Sequence, residues 1–283
     1  MSLKGTLEEQ IEHWFSLGAE AIGSAEAEAA FFELRGKLEA GELRAAEPDD
    51  TFPLGWRVNA WVKRGILLGF RIGTMMEMGG ETLRFVDKHT YPVRKFVVAD
   101  GVRVVPGGVS ARSGAYVAKG VALIPPSYVN VGAYVDEGTM VDSHALVGSC
   151  AQIGRRVHLS AAAQIGGVLE PVSASPVIIE DDCLIGGNTG VYEGTVVRRR
   201  AVLAAGTVLT RGTPVYDVVK GEIYKGTAEM PLVIPEGAVV VPGSRAISKG
   251  KGAEWGLSLA TPVIIKYRDE KTELSLVLED ILR

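Results

Sequence analysis

Two acidic residues stand where a side chain could do chemistry. Asp142 directly follows an aliphatic residue in "TMVDS", and Glu193 comes two residues after another in "VYEG". A carboxylate can act as a general acid or base, a contribution of about 10²–10⁴ in rate. Arg103, in "VRVVP", offers a planar fork that holds a carboxylate through two parallel hydrogen bonds. "SRAISKGKG" brings Arg245, Lys249 and Lys251 together, and "RRR" fills positions 198–200. Either cluster suits phosphate groups. Each feature also has a plainer reading. Asp is a good turn former, and Asp136 one block earlier reads that way. An arginine can pair a surface acid, and a run of lysines can simply be solvated.

Metal chemistry finds little support. His144 and His158 lie in one region of the chain, His13 and His89 elsewhere. No close histidine pair with a third ligand has the spacing that zinc needs. Cys150 and Cys183 form no CxxC pair and read as small packing residues. No metal is expected. Either His144 or His158 could serve as a base, although His158 reads more simply as a corner residue bonded to backbone.

The elements that position these groups follow a period of six. Aliphatic residues occupy 117, 123, 129, 135, 141, 147, 153, 159 and 165, then 179, 185, 191, 197, 203, 209 and 215. A small or β-branched residue stands two places earlier in most blocks, and glycine recurs at block ends, as at Gly120, Gly132, Gly138 and Gly206. A helix cannot use this period, because residues six apart face nearly opposite sides at 3.6 per turn. A triangular coil can: each block is one flat side and a corner, three blocks close a turn, and the aliphatics stack inward. Ile165 and Ile179 are 14 apart, two residues more than two blocks. The intervening "GGVLEPVSASPV", with its prolines and serines, reads as a loop at 168–176 thrown out of the prism.

Residues 1–100 read as mostly helical. "LEEQIEHWFSLGAE" and "WRVNAWVKRGILLGFRIG" are amphipathic, and "EAEAAFFELRGKLEAGELRAAE" is rich in helix formers up to Gly41. The prism is expected over 101–220. A small cap over 221–283 should comprise a strand and a C-terminal helix. The fold class is thus mainly β, a parallel β-helix with a helical N-terminal domain.

Gly makes up 35 of 283 residues, well above the ~7% average, as a fold with a tight corner in every block requires. The net charge is -4, without the basic excess of a nucleic-acid binder. No apolar run approaches the ~18 residues of a membrane span. A cytoplasmic location, with no nucleic-acid or membrane partner, is expected.

Specific words then narrow the reading. "FRIG", "VRVVPGG", "PSYVNVGAYVDEGTMVDSHALVGSCAQIG", "VHLS", "GGVLEP" and "VIIEDDCLIGGN" resemble the tetrahydrodipicolinate N-succinyltransferase family. The similarity runs from Trp61 to Tyr267, is strongest over 103–186 and is weakest ahead of Trp61. It implies a left-handed β-helix, a homotrimer with sites between subunits, and transfer of a succinyl group from succinyl-CoA to an amino group of a cyclic dicarboxylate. No permanently bound cofactor is implied. Arg103 and Asp142 match the family's substrate-binding positions, and Asp142 becomes the candidate catalytic group. Many relatives carry "ARSE" where this chain has Gly187, Asn188, Thr189 and Gly190, so a carboxylate expected at 190 is missing. Glu193 or water takes its place, or that acid is dispensable. For CoA, backbone near Ala205 and Gly206 would line the pantetheine arm, and Lys249 and Lys251 would meet the phosphates. An acetyl-CoA-dependent transferase is the alternative enzyme, and a non-catalytic solenoid the alternative from another class.

Overall fold

The structure, a computed structural model, describes residues 5–81 and 83–269. Its centre is a triangular prism of two-residue strands. Tyr116–Val117, Ala122–Leu123 and Tyr128–Val129 form one turn, and Tyr134–Val135 begins the next. Tyr134 pairs in parallel with Tyr116 below and Gln152 above, three blocks away in each direction. Three walls result, called here A, B and C in the order 116, 122 and 128. The second residue of each strand points inward: Val117, Leu123, Val129, Val135 and Val141 through Leu209 are all buried in one continuous core. Burying such a side chain is worth about 1.5–3 kcal/mol, so each turn is held chiefly by its three inward aliphatics.

The corner is set by one left-handed residue in nearly every block. Gly120, Gly132 and Gly138 hold it with φ of 81°, 73° and 68°, and His144, Cys150, Arg156, Ala162, Asp182 and Asn188 hold it with φ of 53° to 66°. Glycine does this without steric cost. The other residues are held there by the packed walls on either side.

Two insertions change the count. Gln152 pairs with Ile178 rather than with the residue three blocks on, so a stretch of extra chain leaves between Ile165 and the next wall. The gap between Ile165 and Ile179 is therefore one block plus an excursion, not two blocks plus two residues. A second insertion follows Leu209, where Val196 pairs with Val233. Val215 thus does not open another prism side. It begins the strand Val215–Asp217, which turns back on Glu222–Tyr224. The prism resumes with Val233–Ile234 and with the start of Ala238–Ala246, whose Val239 and Val240 pair with Val202 and Leu203. It also begins before the regular period, since Arg103–Val104 pairs on Ala122–Leu123 and Ser110–Ala111 on Tyr128–Val129. Ala238–Ala246 and Ser258–Tyr267 form a long antiparallel hairpin that extends wall B. The C-terminal helix expected after it lies outside the described residues.

The N-terminal unit contains three helices, α1 (Leu7–Ser16), α2 (Ala25–Glu39) and α3 (Ala60–Ile72). Thr6 and Glu9 cap α1 reciprocally, and the Ser24 hydroxyl accepts from the Ala27 amide at the start of α2. Gly65 and Gly69 let α3 sink between its partners. A Cβ on Gly65 would collide with Leu34, and one on Gly69 with Phe31. Ile66 then reaches the prism corner at Gly132 and Cys150, and Cys150 joins the helical core rather than that of the prism. Polar contacts fix the same unit to wall A. Arg44 stacks 3.7 Å from the Tyr134 ring and donates to Gln152 at 2.9 Å. Trp56 donates to Glu180 at 3.1 Å.

Candidate active site

Along each wall the first residue of every strand faces outward, so register alone builds columns of side chains. On wall B the column is Arg103, Ala122, Met140, His158, Leu184 and Val202. Arg103 stands two coils from Met140, about 10 Å at the usual strand spacing. It is exposed, and its guanidinium has no ion pair among the described residues. The fork is thus free for an external carboxylate.

Asp142 sits where wall B turns into wall C. Its Oδ1 accepts from the adjacent Ser143 amide at 2.7 Å. Its Oδ2 lies 3.9 Å from His158 Nε2. Both side chains are mostly shielded, with 31% of Asp142 and 15% of His158 exposed. His158 is therefore not a corner residue. It lies on a strand, facing outward, one coil above Met140. Counting coils would have found the pair: with three blocks to a turn, 158 falls on top of 140, two positions from Asp142.

The same edge continues past Asp142. The Ala162 amide donates to Ser143 O at 2.8 Å, Asn188 to Ala161 O at 3.0 Å, and Gly206 to Gly187 O at 2.9 Å. These bonds form a spine that ends at Ala205 and Gly206, three coils or about 14 Å from Asp142. Both are exposed. Lys249 and Lys251 lie beyond the edge, in the connection between the two long strands, and the Lys251 ammonium pairs with Glu254 at 2.5 Å. The arginine run is differently employed. Arg198 donates to Glu180 at 2.6 Å and to Leu54 O at 2.9 Å, joining wall A to the N-terminal unit, while Arg199 pairs with Glu236 at 3.5 Å.

Glu193 does not join Asp142. It lies where wall C turns into wall A, with φ of 55°, and its Oε2 accepts from the Arg211 amide at 2.9 Å. A full wall separates the two edges, on the order of 15–20 Å at ~3.3 Å per residue. Beside Glu193 lies a cavity of about 460 Å³ lined by Gly166, Gly167, Val168, Glu170, Pro171, Ala174, Tyr192, Glu193 and Arg211. Gly190 is buried under the Tyr192 ring: a Cβ there would lie 2.5 Å from the ring and 3.0 Å from its hydroxyl. The tyrosine occupies the space into which a side chain at 190 would project.

The insertion loop roofs this cavity and is tied down from α3. Lys63, fully buried, donates to Ala174 O at 2.6 Å. Desolvation lowers its pKa. Among the described residues, no cluster of histidine, cysteine or carboxylate side chains could hold a metal. Both cysteines are free and buried; desolvation pushes the Cys150 thiol up to about 12, so it is no nucleophile at neutral pH.

Comparison with known proteins gives the family of the chain. The family description "Tetrahydrodipicolinate N-succinyltransferase N-terminal" matches residues 6–72, and "Hexapeptide repeat of succinyl-transferase" matches residues 176–211. A protein of Bordetella petrii named 2,3,4,5-tetrahydropyridine-2,6-dicarboxylate N-succinyltransferase is 43% identical over 100% of this chain and 99% of its own. Proteins of the same name from Nitrobacter hamburgensis and Polynucleobacter asymbioticus are 46% and 42% identical, each over 87% of this chain and 86% of theirs. With its hexapeptide walls and identity over the full length, the chain is a left-handed β-helix protein of the tetrahydrodipicolinate N-succinyltransferase family.

Proposed function

We propose that the protein transfers the succinyl group of succinyl-CoA to the amino group of 2,3,4,5-tetrahydropyridine-2,6-dicarboxylate in its ring-opened keto form. The products are N-succinyl-2-amino-6-oxopimelate and CoA, a step of diaminopimelate and lysine synthesis in the cytoplasm. The amine nitrogen attacks the thioester carbonyl, the C–N bond forms, and the C–S bond breaks. The proton leaves the nitrogen and the thiolate departs. The observation that carries this reading is the shared edge. Asp142 and the exposed Ala205–Gly206 backbone lie on one edge of the prism, beside the wall that bears Arg103.

In this reading Arg103 holds a substrate carboxylate. Asp142 orients the amine and accepts its proton, with His158 Nε2 3.9 Å from its Oδ2. A carboxylate next to an ammonium also favours the charged amine, so its service lies in positioning and in taking the proton as the bond forms. Ala205 and Gly206 line the pantetheine arm, and Lys249 and Lys251 meet the phosphates. Glu193 acts from a neighbouring copy, because its own edge lies a wall away from Asp142. The working unit is then a homotrimer with sites between subunits, its partners being the dicarboxylate and succinyl-CoA.

Purified protein incubated with succinyl-CoA and the cyclic dicarboxylate should release free thiol, and release should require both. Faster release from acetyl-CoA would make the chain an acetyltransferase. No release from either donor would leave a solenoid without catalysis.

A further inference from the structure

We infer that Arg211 is the carboxylate-recognising group of a subsite beneath the insertion loop, at the corner between walls C and A. The inference deepens the succinyl-transfer reading and rests on it for the source of the ligand. Arg211 lines the cavity beside Glu193 and also a second of about 550 Å³ that opens between the loop, Trp56 and Met230. Its guanidinium makes no hydrogen bond or ion pair among the described residues, and its Nε is closed off from solvent. A shielded donor without an acceptor is costly in a folded protein, and a ligand oxygen removes that cost.

The backbone at Arg211 is fully engaged. Its amide donates to Glu193 Oε2 at 2.9 Å, and its carbonyl accepts from Gly226 at 3.0 Å. Gly226 presses on the stem, where a Cβ would lie 2.6 Å from Arg211 Cγ. The cavity is also walled in advance. Lys63 holds Ala174, Ser175 O packs within 2.5 Å of where a Cβ on Gly194 would stand, and the Tyr192 ring covers Gly166 and Gly190.

Glu170 and Glu193 line the same space and select the kind of anion. Two carboxylates near one guanidinium repel a dianion such as phosphate more than a singly charged group. Glu193 has already given one oxygen to an amide. A carboxylate at the end of a slender chain fits, reached by the planar fork. Two such groups are present in the reaction: the free end of the succinyl chain and a carboxylate of the acceptor.

The test compares wild type, Arg211→Gln and Arg211→Lys with succinyl-CoA and with butyryl-CoA, which has the same chain length and a methyl in place of the carboxylate. If the donor carboxylate docks on Arg211, Arg211→Gln loses about 10- to 100-fold in kcat/KM for succinyl-CoA and under about twofold for butyryl-CoA. If the acceptor carboxylate docks there, KM for the dicarboxylate rises by a similar factor with either donor. Arg211→Lys, keeping charge without the fork, should recover part of the loss. Constants unchanged in Arg211→Gln overturn the inference, as does an equal loss of kcat with both donors at unchanged KM. Should wild type transfer no succinyl group, the transfer reading fails separately. Titration with succinate and with butyrate then decides: succinate binding that Arg211→Gln abolishes keeps the subsite, and its absence in wild type removes it.

Discussion

The Asp142 carboxylate accepts from the Ser143 amide with one oxygen and faces His158 with the other. Asparagine would keep the first contact, since it serves turns almost as well, but it removes the negative acceptor. Asp142→Asn should therefore lower turnover by about 10²-fold with little change in melting temperature. Near-normal turnover would reduce Asp142 to a corner residue. Arg103→Lys keeps charge and loses the fork. It should raise KM for the dicarboxylate and leave that for succinyl-CoA nearly unchanged. A defect confined to succinyl-CoA would move Arg103 to the donor's half of the site.

Among the elements, the insertion loop is held by a cation that burial desolvates. Lys63 reaches it from α3 as a fully buried ammonium bonded to Ala174 O, and burial lowers its pKa from 10.5. The sign follows from linkage. The unfolded chain binds this proton more tightly than the folded one, so the cost is fully present below the folded pKa. Stability then recovers as pH rises from the folded value towards 10.5. Lys63→Met removes that cost and frees the loop. Thermal melts should show the variant at least as stable as wild type at pH 7, with any advantage shrinking as the pH approaches the lysine's ordinary range. Steady-state kinetics at pH 7 should nonetheless show a lower kcat/KM, because the roof over Glu193 and Arg211 is no longer held. Unchanged kinetics would mean that the loop holds its place without Lys63. A marked loss of melting temperature would mean that the ammonium–carbonyl bond outweighs desolvation.

For the whole molecule, the separation of the two acidic edges is decisive. One copy presents Asp142 at the corner of walls B and C and Glu193 at the corner of walls C and A, and no motion short of unfolding brings them together. Light scattering at micromolar concentration should give three times the 30.1 kDa of one chain. Asp142→Asn and Glu193→Gln chains, each impaired alone, should regain part of their activity when unfolded together and refolded as mixed oligomers. A monomeric mass would refute both expectations.

The prism itself was legible in the chain, because its causes are local. An inward aliphatic and a left-handed corner recur within each block whatever lies above or below, so the period of six is written residue by residue. That something leaves the prism after Ile165 was legible too, from its prolines and the broken count. Which side chains meet across an insertion was not, because the length of chain that leaves the prism hides the offset, as between Gln152 and Ile178 and between Val196 and Val233. Only closure of the turns sets those offsets. Closure put Glu193 a wall away from Asp142 and returned Val233 to the prism after a hairpin that interrupts the period. Packing of the N-terminal unit on wall A gave Arg198 the Leu54 carbonyl as an acceptor and buried Lys63 against the loop. Each of these contacts joins residues distant in sequence. Their energies depend on burial and on the partner's position, and neither quantity exists until the tertiary structure has formed.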